Sequence, residues 1–109
     1  MIYIGSTNDL IRRLSEHNSG FGSNQTAPPS LRPWALLAYV TGFDGDKRAR
    51  LNFENRWIQA KEEYISDLNY VHTVEGILML ATDLIPLFMP LYKLRLVKCG
   101  TLDHPRERT

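Results

Sequence analysis

The sequence predicts a small α/β domain with the element order β-α-β-α-α-β, in which a short central sheet, mixed or antiparallel, is flanked by helices. Three observations lead to this prediction. Short β-rich runs alternate with segments of helical periodicity, and 109 residues suffice for one domain. The composition, 43% hydrophobic and 23% charged, is that of an ordinary globular protein. It excludes a wholly disordered chain, a coiled coil and a collagen-like fibre.

The first part of the chain predicts two strands around one helix. The run Met1-Ile2-Tyr3-Ile4 is β-rich and ends at a glycine, and the polar residues after it offer several helix N-caps. In chain order, we expect a strand over residues 1–4, a helix from about Asn8 to Asn18-Ser19-Gly20, an exposed loop over 19–33 and a central strand over 34–41.

The second part predicts two helices and a closing strand. Asp46 follows a glycine-rich turn and is placed to cap the next helix. We expect that helix to reach about Tyr64 and to bury Leu51, Phe53, Trp57, Ile58 and Ala60. After a break at residues 67–70, a further helix is expected over 74–84, ahead of Pro86, and a strand over 91–97.

The cysteine count and the charge pattern limit the kinds of site. Cys99 is the only cysteine, so an internal disulfide and a cysteine-based zinc site are excluded. The net charge is only +1. However, residues 1–61 carry eight Lys or Arg against five acids, and residues 62–109 carry five against seven. This asymmetry allows a polyanion-binding face in the first half, with ordinary scatter of surface charge as the alternative.

The sequence carries no secretory or membrane signal. The N-terminus lacks an apolar run after a basic start. The apolar stretch 77–92 is shorter than the roughly 20 residues of a spanning helix, and it contains Asp83, Pro86 and Pro90. We therefore expect an intracellular protein that does not span a membrane and has no structural metal.

Two runs carry residue types suited to catalysis. The first is YIGSTNDL at residues 3–10, followed by Arg13 and, one helical turn later, His17. The second is FENRW at residues 53–57, which contains Glu54. Their order and spacing together are more specific than either run alone.

Taken singly, these residues have simpler interpretations. Tyr3 is typical of an aromatic side chain packed on a core. Arg13 and His17 are compatible with a solvated helix face. Glu54 is spaced to form an ion pair with Arg50, or to lie two turns from Lys61 on the same helix.

Taken together, the two runs resemble the GIY-YIG nuclease family, in which the YIG strand leads into a helix of the form (K/R)-R-x-x-x-H. In that family a later helix carries the metal-binding glutamate next to an aromatic residue. The sequence is most similar to the structure-specific endonuclease subunits that resolve branched DNA. This similarity covers residues 2–97. It rests on Asn18-Ser19-Gly20, on Arg32-Pro33-Trp34 with Gly42-Phe43, on Phe53-Glu54 with Trp57, and on the later run 77–96.

The resemblance implies a GIY-YIG-like sandwich and a role for each matching residue. Tyr3 would act as general base on water, and His17 would orient the tyrosine or a phosphate oxygen. Arg13 would bind a phosphate through its planar guanidinium. Glu54 would hold one Mg²⁺, or Mn²⁺ in its place, with a hard oxygen ligand. Gly5 would allow a tight turn from strand to helix.

Other basic residues are candidates for contacts with the DNA backbone, because such contacts need charge and reach more than a fixed geometry. Solvated surface charges are the alternative interpretation. The candidates are Arg12, Arg32, Lys47, Arg48, Arg50 and Arg56.

Two departures from the family pattern bear on function. The family's first signature strand, with its Gly-Ile-Tyr, would precede Tyr3, and a cysteine-rich zinc module would follow the nuclease domain, where this chain has Cys99 alone. We expect residues 1–98 to be an N-terminally truncated nuclease domain and residues 99–109 a polar tail.

The leading hypothesis is a divalent-metal-dependent endonuclease acting on branched or flapped DNA in repair or recombination. Such a small domain implies a protein partner for targeting, and the subgroup implies a nuclear location. The alternatives are a catalytically inactive domain that binds DNA or a protein, and a non-functional fragment.

Overall fold

The computed structural model describes residues 2–68, 74–89 and 91–99, which fall into two compact units. The first unit belongs to Met1–Leu37 and Lys98–Thr109, and the second to Ala38–Val97. The predicted single domain over residues 1–98 stays a prediction. The elements are α1 (Leu10–Ser19), β1 (Ala38–Thr41), α2 (Lys47–Leu68), α3 (Val74–Leu84) and β2 (Arg95–Lys98), with short 3-10 helices at Pro29–Leu31 and Ile85–Phe88.

The predicted α/β class is confirmed, since three α-helices accompany an antiparallel sheet in the described residues. The predicted first strand is not formed in residues 2–4. A strand exists through its ladder with a neighbour, and the sheet of the described part consists of β1 and β2. Residues 2–4 are instead held by packing, with Ile4 buried.

Helix α1 begins and ends where the sequence predicts. The side chain of Asp9 caps it by accepting a hydrogen bond from the N–H of Arg12 at 3.1 Å. Gly20 ends it with φ of 91°, a left-handed conformation that glycine adopts without steric cost, and its N–H bonds back to the last turn. The structure thereby fixes which residues of 10–19 share a helical face.

Strand β1 is shorter than predicted, because it begins at Ala38 rather than at Trp34. The side-chain amide of Asn18 accepts from the backbone N–H of Trp34 and donates to its C=O. These backbone groups are therefore satisfied by a side chain of α1, and the chain stays irregular up to residue 37.

Strand β2 begins at Arg95, four residues after the predicted start at Leu91. The N–H of Tyr92 donates to the C=O of Phe88 at 3.0 Å, so the chain is still completing a turn there. The predicted strand is thus confirmed in its position along the chain and corrected in its length.

Helix α2 extends to Leu68, four residues beyond the predicted end at Tyr64. Residues 47–68 contain neither glycine nor proline, so nothing in the sequence interrupts the helix there. The rest of the predicted break lies outside the described residues, as do residues 100–109 of the predicted tail. Helix α3 spans the predicted residues 74–84.

The second unit is built on an apolar cluster below the sheet and between its helices. Leu51 was expected in this core but is 39% exposed. Ala49, Phe53 and Trp57 are four residues apart and define the inward face of α2, which turns Leu51 outward. The buried members are Phe43, Ala49, Phe53, Ala81 and Leu94.

Among the described residues, none of the helices is long and apolar enough to cross a bilayer.

Candidate active site

The ring of Tyr3 packs against the rings of His17 and Trp34. Its ring lies edge-on to that of His17, with 4.9 Å between ring centroids, and 6.4 Å from that of Trp34. A Cβ added at Gly5 would come within 2.8 Å of Cε2 of Tyr3. A side chain at residue 5 would therefore displace the tyrosine ring, and the described backbone gives Gly5 no positive φ. The packed position of Tyr3 agrees with the core interpretation and leaves the catalytic one open.

His17 is 7% exposed and faces the loop that follows α1. Its Nδ1 lies 2.6 Å from the hydroxyl of Thr26, which is fully buried. Burial, and then the positive charge of Arg13, lower the pKa of His17, while the Glu16 carboxylate raises it less. His17 is consequently neutral at physiological pH.

Arg13 lies one turn before His17 on α1, and its guanidinium interacts with the hydroxyl of Tyr3. Its Nη1 donates to Glu16 at 2.9 Å. The bond to Glu16 raises the pKa of Arg13 against a smaller opposing effect of burial, and the hydroxyl of Tyr3 also raises it. Within the described residues, Nε of Arg13 is buried without a hydrogen-bond partner. The guanidinium is thus charged, and 30% of the Arg13 side-chain area is accessible.

The loop after α1 is more ordered internally than its polar composition predicts. Arg32 donates to the carbonyl oxygens of Ala27 at 2.7 Å and of Asn18 at 3.5 Å. Nε1 of Trp34 donates to the carbonyl oxygen of Thr26 at 3.2 Å. The prediction of an exposed loop over residues 19–33 is therefore wrong at Thr26, which is fully buried. A contact of Arg32 with DNA stays a prediction, and it would compete with these bonds.

Glu54 belongs to the second unit, in the first half of α2. Its side chain is half-buried, and the preceding Phe53 is 2% exposed in the core. Three residues on, Trp57 donates from Nε1 to the carbonyl oxygen of Ile77 at 2.9 Å. The core contacts of Phe53 and Trp57 fix this turn of α2, and they thereby fix the backbone position from which the Glu54 side chain extends. The ion pair suggested as the alternative use of Glu54 stays a prediction.

The donor set fits Mg²⁺ with most of its waters retained. Among residues 2–68, 74–89 and 91–99, no group of three or more His, Cys, Asp or Glu is placed to hold a metal. A cage of protein ligands is not needed, because Mg²⁺ is commonly held by one or two carboxylates together with substrate phosphates. Glu54 as such a carboxylate stays a prediction.

A groove of about 480 Å³ lies beside α2 within the second unit. Arg48, Asn52 and Arg56 are four residues apart and form one wall, and the other is apolar. Nε of Arg56 donates to the side chain of Asn52 at 3.4 Å. Two of the six predicted DNA contacts are thus brought together. The apolar wall consists of Leu87, Phe88, Leu91 and Tyr92.

Asp46 joins the two walls of this groove. One carboxylate oxygen accepts from the N–H of Ala49 at 3.0 Å and caps α2, and the other accepts from the hydroxyl of Tyr92. The bond from Tyr92 holds the pKa of Asp46 below its usual value, and the same bond raises the pKa of Tyr92. The sequence prediction that Asp46 caps α2 is confirmed.

The other predicted basic contacts lie on α1 and α2. Arg12 is exposed on α1 and within 3.8 Å of Glu16. Lys47, Arg48 and Arg50 occupy the first turn of α2, which carries no acidic residue. Positive charge there opposes the helix dipole. The helix dipole therefore does not explain their position.

Residues 1–69 match the GIY-YIG catalytic domain, which is more than half of the chain. The chain belongs to the GIY-YIG family. Tyr3, Gly5, Arg13, His17 and Glu54 all lie in the matched region. The resemblance seen in the sequence is thereby confirmed at the level of the family.

This GIY-YIG chain is similar to three fungal proteins described as structure-specific endonuclease subunit SLX1. It is 41% identical over 63 residues to that of Ajellomyces capsulatus, covering 56% of this chain and 15% of that protein. For Talaromyces stipitatus the figures are 39% over 85 residues, 75% and 18%, and for Eremothecium gossypii 45% over 58 residues, 50% and 19%. The chain thus spans less than a fifth of the length of these relatives. No solved structure matches it significantly.

Sequence reasoning missed the contacts of Thr26 and Asn18 in this GIY-YIG chain. Thr26 bonds to the ring of His17, and Asn18 fixes the backbone of Trp34. Both are ordinary polar residues in a polar stretch, so no signal in one sequence distinguishes them from solvated neighbours. Their importance follows from burial and distance alone.

Proposed function

We propose that this chain is a divalent-metal-dependent endonuclease that hydrolyses phosphodiester bonds in branched or flapped DNA during repair or recombination. The observation that carries the proposal is the packing of Tyr3 and His17 beside Arg13 in a member of the GIY-YIG family. The similarity to proteins named structure-specific endonuclease subunits supports the choice of branched DNA.

The roles of the first unit follow from its contacts. In the proposed reaction Tyr3, with its hydroxyl proton given up to solvent, takes a proton from the attacking water, whose oxygen bonds to phosphorus as the scissile P–O bond breaks. The leaving oxygen departs with that bonding pair and takes up a proton from solvent. Arg13 stabilises the negative charge that develops on the phosphoryl oxygens, through a guanidinium that Glu16 holds in place. His17 is neutral and orients Tyr3 or a phosphate oxygen by hydrogen bonding.

Glu54 is the proposed ligand for Mg²⁺ or Mn²⁺. When bound, such an ion neutralises charge on the phosphate and on the leaving oxygen. The half-buried carboxylate on a helix turn fixed by the core offers a hard, anionic oxygen for this purpose.

We further propose that Arg12 and the basic residues of α2 contact the DNA backbone. Two observations support this proposal. Three basic residues lie in the first turn of α2, where positive charge opposes the helix dipole. Arg48 and Arg56 also line the same groove. Phosphate contacts of this kind would position DNA without reading its sequence, which suits an enzyme that recognises branched shapes.

A cleavage assay tests the proposed activity. Purified protein incubated with an end-labelled flap substrate and Mg²⁺ is expected to nick it near the branch, and matched linear duplex is expected to be cut more slowly. EDTA should abolish nicking and added Mg²⁺ or Mn²⁺ should restore it. Salt-sensitive binding of the flap without nicking under either metal would replace this proposal with the inactive DNA-binding domain.

Neutralising the basic wall of the groove is expected to weaken DNA binding at every sequence. The double variant Arg48→Gln, Arg56→Gln should reduce the slope of log Kd against log salt by about 2. The double variant Lys93→Gln, Arg95→Gln is the matched control, because both residues are exposed in the same unit and do not line the groove. Fluorescence anisotropy with labelled duplex at several salt concentrations measures the slope. Equal slopes for the variant at Arg48 and Arg56 and for the control would show that this wall does not contact phosphates.

The targeting partner and the compartment complete the proposal. The relatives are named as subunits, which supports a partner protein that directs the nuclease to its substrate. Action on chromosomal DNA would place the complex in the nucleus.

A further inference from the structure

Thr26 has an environment that its position in a polar loop does not require. It is fully buried, and its hydroxyl makes its shortest contact, 2.6 Å, with Nδ1 of His17. The hydroxyl of Ser23 lies 3.2 Å from that of Thr26, and the N–H of Thr26 donates to the carbonyl oxygen of Ser23 at 3.2 Å. The loop thus brings one buried hydroxyl to one nitrogen of a candidate catalytic ring.

The length of this contact indicates which atom donates. O–H···O bonds lie at about 2.5–3.0 Å and N–H···O bonds at about 2.7–3.2 Å. The 2.6 Å between Nδ1 of His17 and the Thr26 hydroxyl is therefore short for a ring N–H donor, and the other acceptor within reach of that hydroxyl, the carbonyl oxygen of Ser23, lies farther away at 3.3 Å. The single hydroxyl proton is thus directed at Nδ1. With the Thr26 hydroxyl as donor to Nδ1, the hydroxyl of Ser23 can donate in turn to Thr26, so Nδ1 of His17 and the Thr26 oxygen each have a partner.

We propose that Thr26 is a positioning residue that holds His17 in the tautomer protonated at Nε2. Nδ1 then serves as an acceptor on the loop side, and Nε2–H is the group available to the oxygen of Tyr3 or of a phosphate. His17 acts as a neutral hydrogen-bond donor and not as a general base. The catalytic part of this inference rests on the proposed nuclease function; the tautomer does not.

Gly22 supports the same arrangement, because it also lies against the Nδ1 edge of the ring. A Cβ added at Gly22 would overlap Nδ1 of His17, so the loop closes directly on the imidazole. Tyr3 lies edge-on to the ring as well. The ring is therefore enclosed by Gly22, Thr26 and Tyr3, and one orientation is favoured.

The charges around His17 are consistent with a neutral ring. Arg13 and Glu16 on α1 are the charged groups that act on it, and Tyr3 is the titratable group packed against it. From the loop, Ser23 and Thr26 contribute only hydroxyls. The Thr26 bond adds to burial and to Arg13 in favouring the neutral form, because a donor to Nδ1 stabilises the unprotonated nitrogen.

Nitrogen NMR tests the tautomer without any cleavage. In protein labelled with ¹⁵N at histidine and free of metal, Nδ1 of His17 should resonate far downfield, as an unprotonated nitrogen, and Nε2 should show an attached proton. Thr26→Val keeps the shape and removes the donor, and should shift the Nδ1 resonance toward the protonated position. Thr26→Ser keeps a hydroxyl and should restore the wild-type pattern.

The same variants test the role in catalysis. Thr26→Val should lower the flap-cleavage rate about tenfold, as for partners that orient functional imidazoles, and should move the acid limb of its pH profile upward. The direction follows because loss of the donor favours protonated His17 and raises its pKa. Thr26→Ser should recover most of the rate and the original acid limb.

The outcomes separate the inference from the proposed function. A wild-type spectrum with the proton on Nδ1 overturns the inference, and this result needs no folded variant. An unchanged His17 spectrum in folded Thr26→Val overturns it as well. If the spectra behave as expected and the wild type does not cut DNA, the tautomer assignment stands and the nuclease proposal fails. If the spectra behave as expected, the wild type cuts DNA and Thr26→Val cuts at the wild-type rate, the positioning role is rejected.

Discussion

Glu54→Gln is expected to abolish metal-dependent cleavage, with a loss of about 10³-fold or more in rate, because several kcal/mol of charge stabilisation depend on a bound cation. Glutamine has the size of glutamate but no charge, so it weakens the proposed metal ligand while leaving the packing of α2 intact. Single-turnover cleavage of a labelled flap substrate at saturating protein measures the loss. Thermal unfolding followed by circular dichroism should give a melting temperature close to that of the wild type.

Glu62→Gln is the matched control for this variant, since Glu62 is exposed on the same helix. It removes the same charge from α2 and should cut at the wild-type rate. Equal cleavage by Glu54→Gln and Glu62→Gln would reject the metal-binding role of Glu54 and leave only its structural interpretation as a helix ion-pair partner.

Arg13→Lys is expected to lower the cleavage rate about 10²-fold, a loss typical of removing one donor that stabilises transition-state charge. Lysine keeps the positive charge but lacks the planar fork that binds two phosphate oxygens together. The bond that holds the guanidinium on Glu16 is also changed. The loss should therefore fall on kcat, while the KM for DNA changes little.

Arg12→Lys makes the same chemical change one residue earlier. Arg12 is exposed, with 62% of its side-chain area accessible, and a contact with the DNA backbone there depends on charge and reach, which lysine retains. This variant should cut at nearly the wild-type rate. If the two lysine variants are equally active, Arg13 is a surface charge and has no special part in the reaction.

The sequence predicted the helices better than the strands. Asp9 and Gly20 bound α1 through local capping, and such signals lie within a few neighbouring residues. Strand boundaries depend on distant partners, and this is where the predictions differed from the structure. The backbone of Trp34 reads as strand in isolation, yet the side chain of Asn18, sixteen residues away, occupies its hydrogen bonds.

The sequence predicted which residues form the candidate site but not which side chains surround them. The motif around Tyr3, Arg13 and His17 could be found because its spacing is fixed within one helix and the run before it. What surrounds His17 could not, because Thr26 reaches it only when a polar loop folds back on α1. Loop conformation depends on many weak local choices, which a single sequence does not resolve.

The carboxylate of Asp46 links the start of helix α2 to the position of Tyr92. It starts α2, which presents Arg48, and it anchors Tyr92 on the opposite wall of the groove. Because its folded pKa is depressed, this link is intact at neutral pH and is lost as the pH falls through that lowered value. The width of the groove and the register of its basic wall are therefore set together by one acidic side chain, and any change at residue 46 alters both.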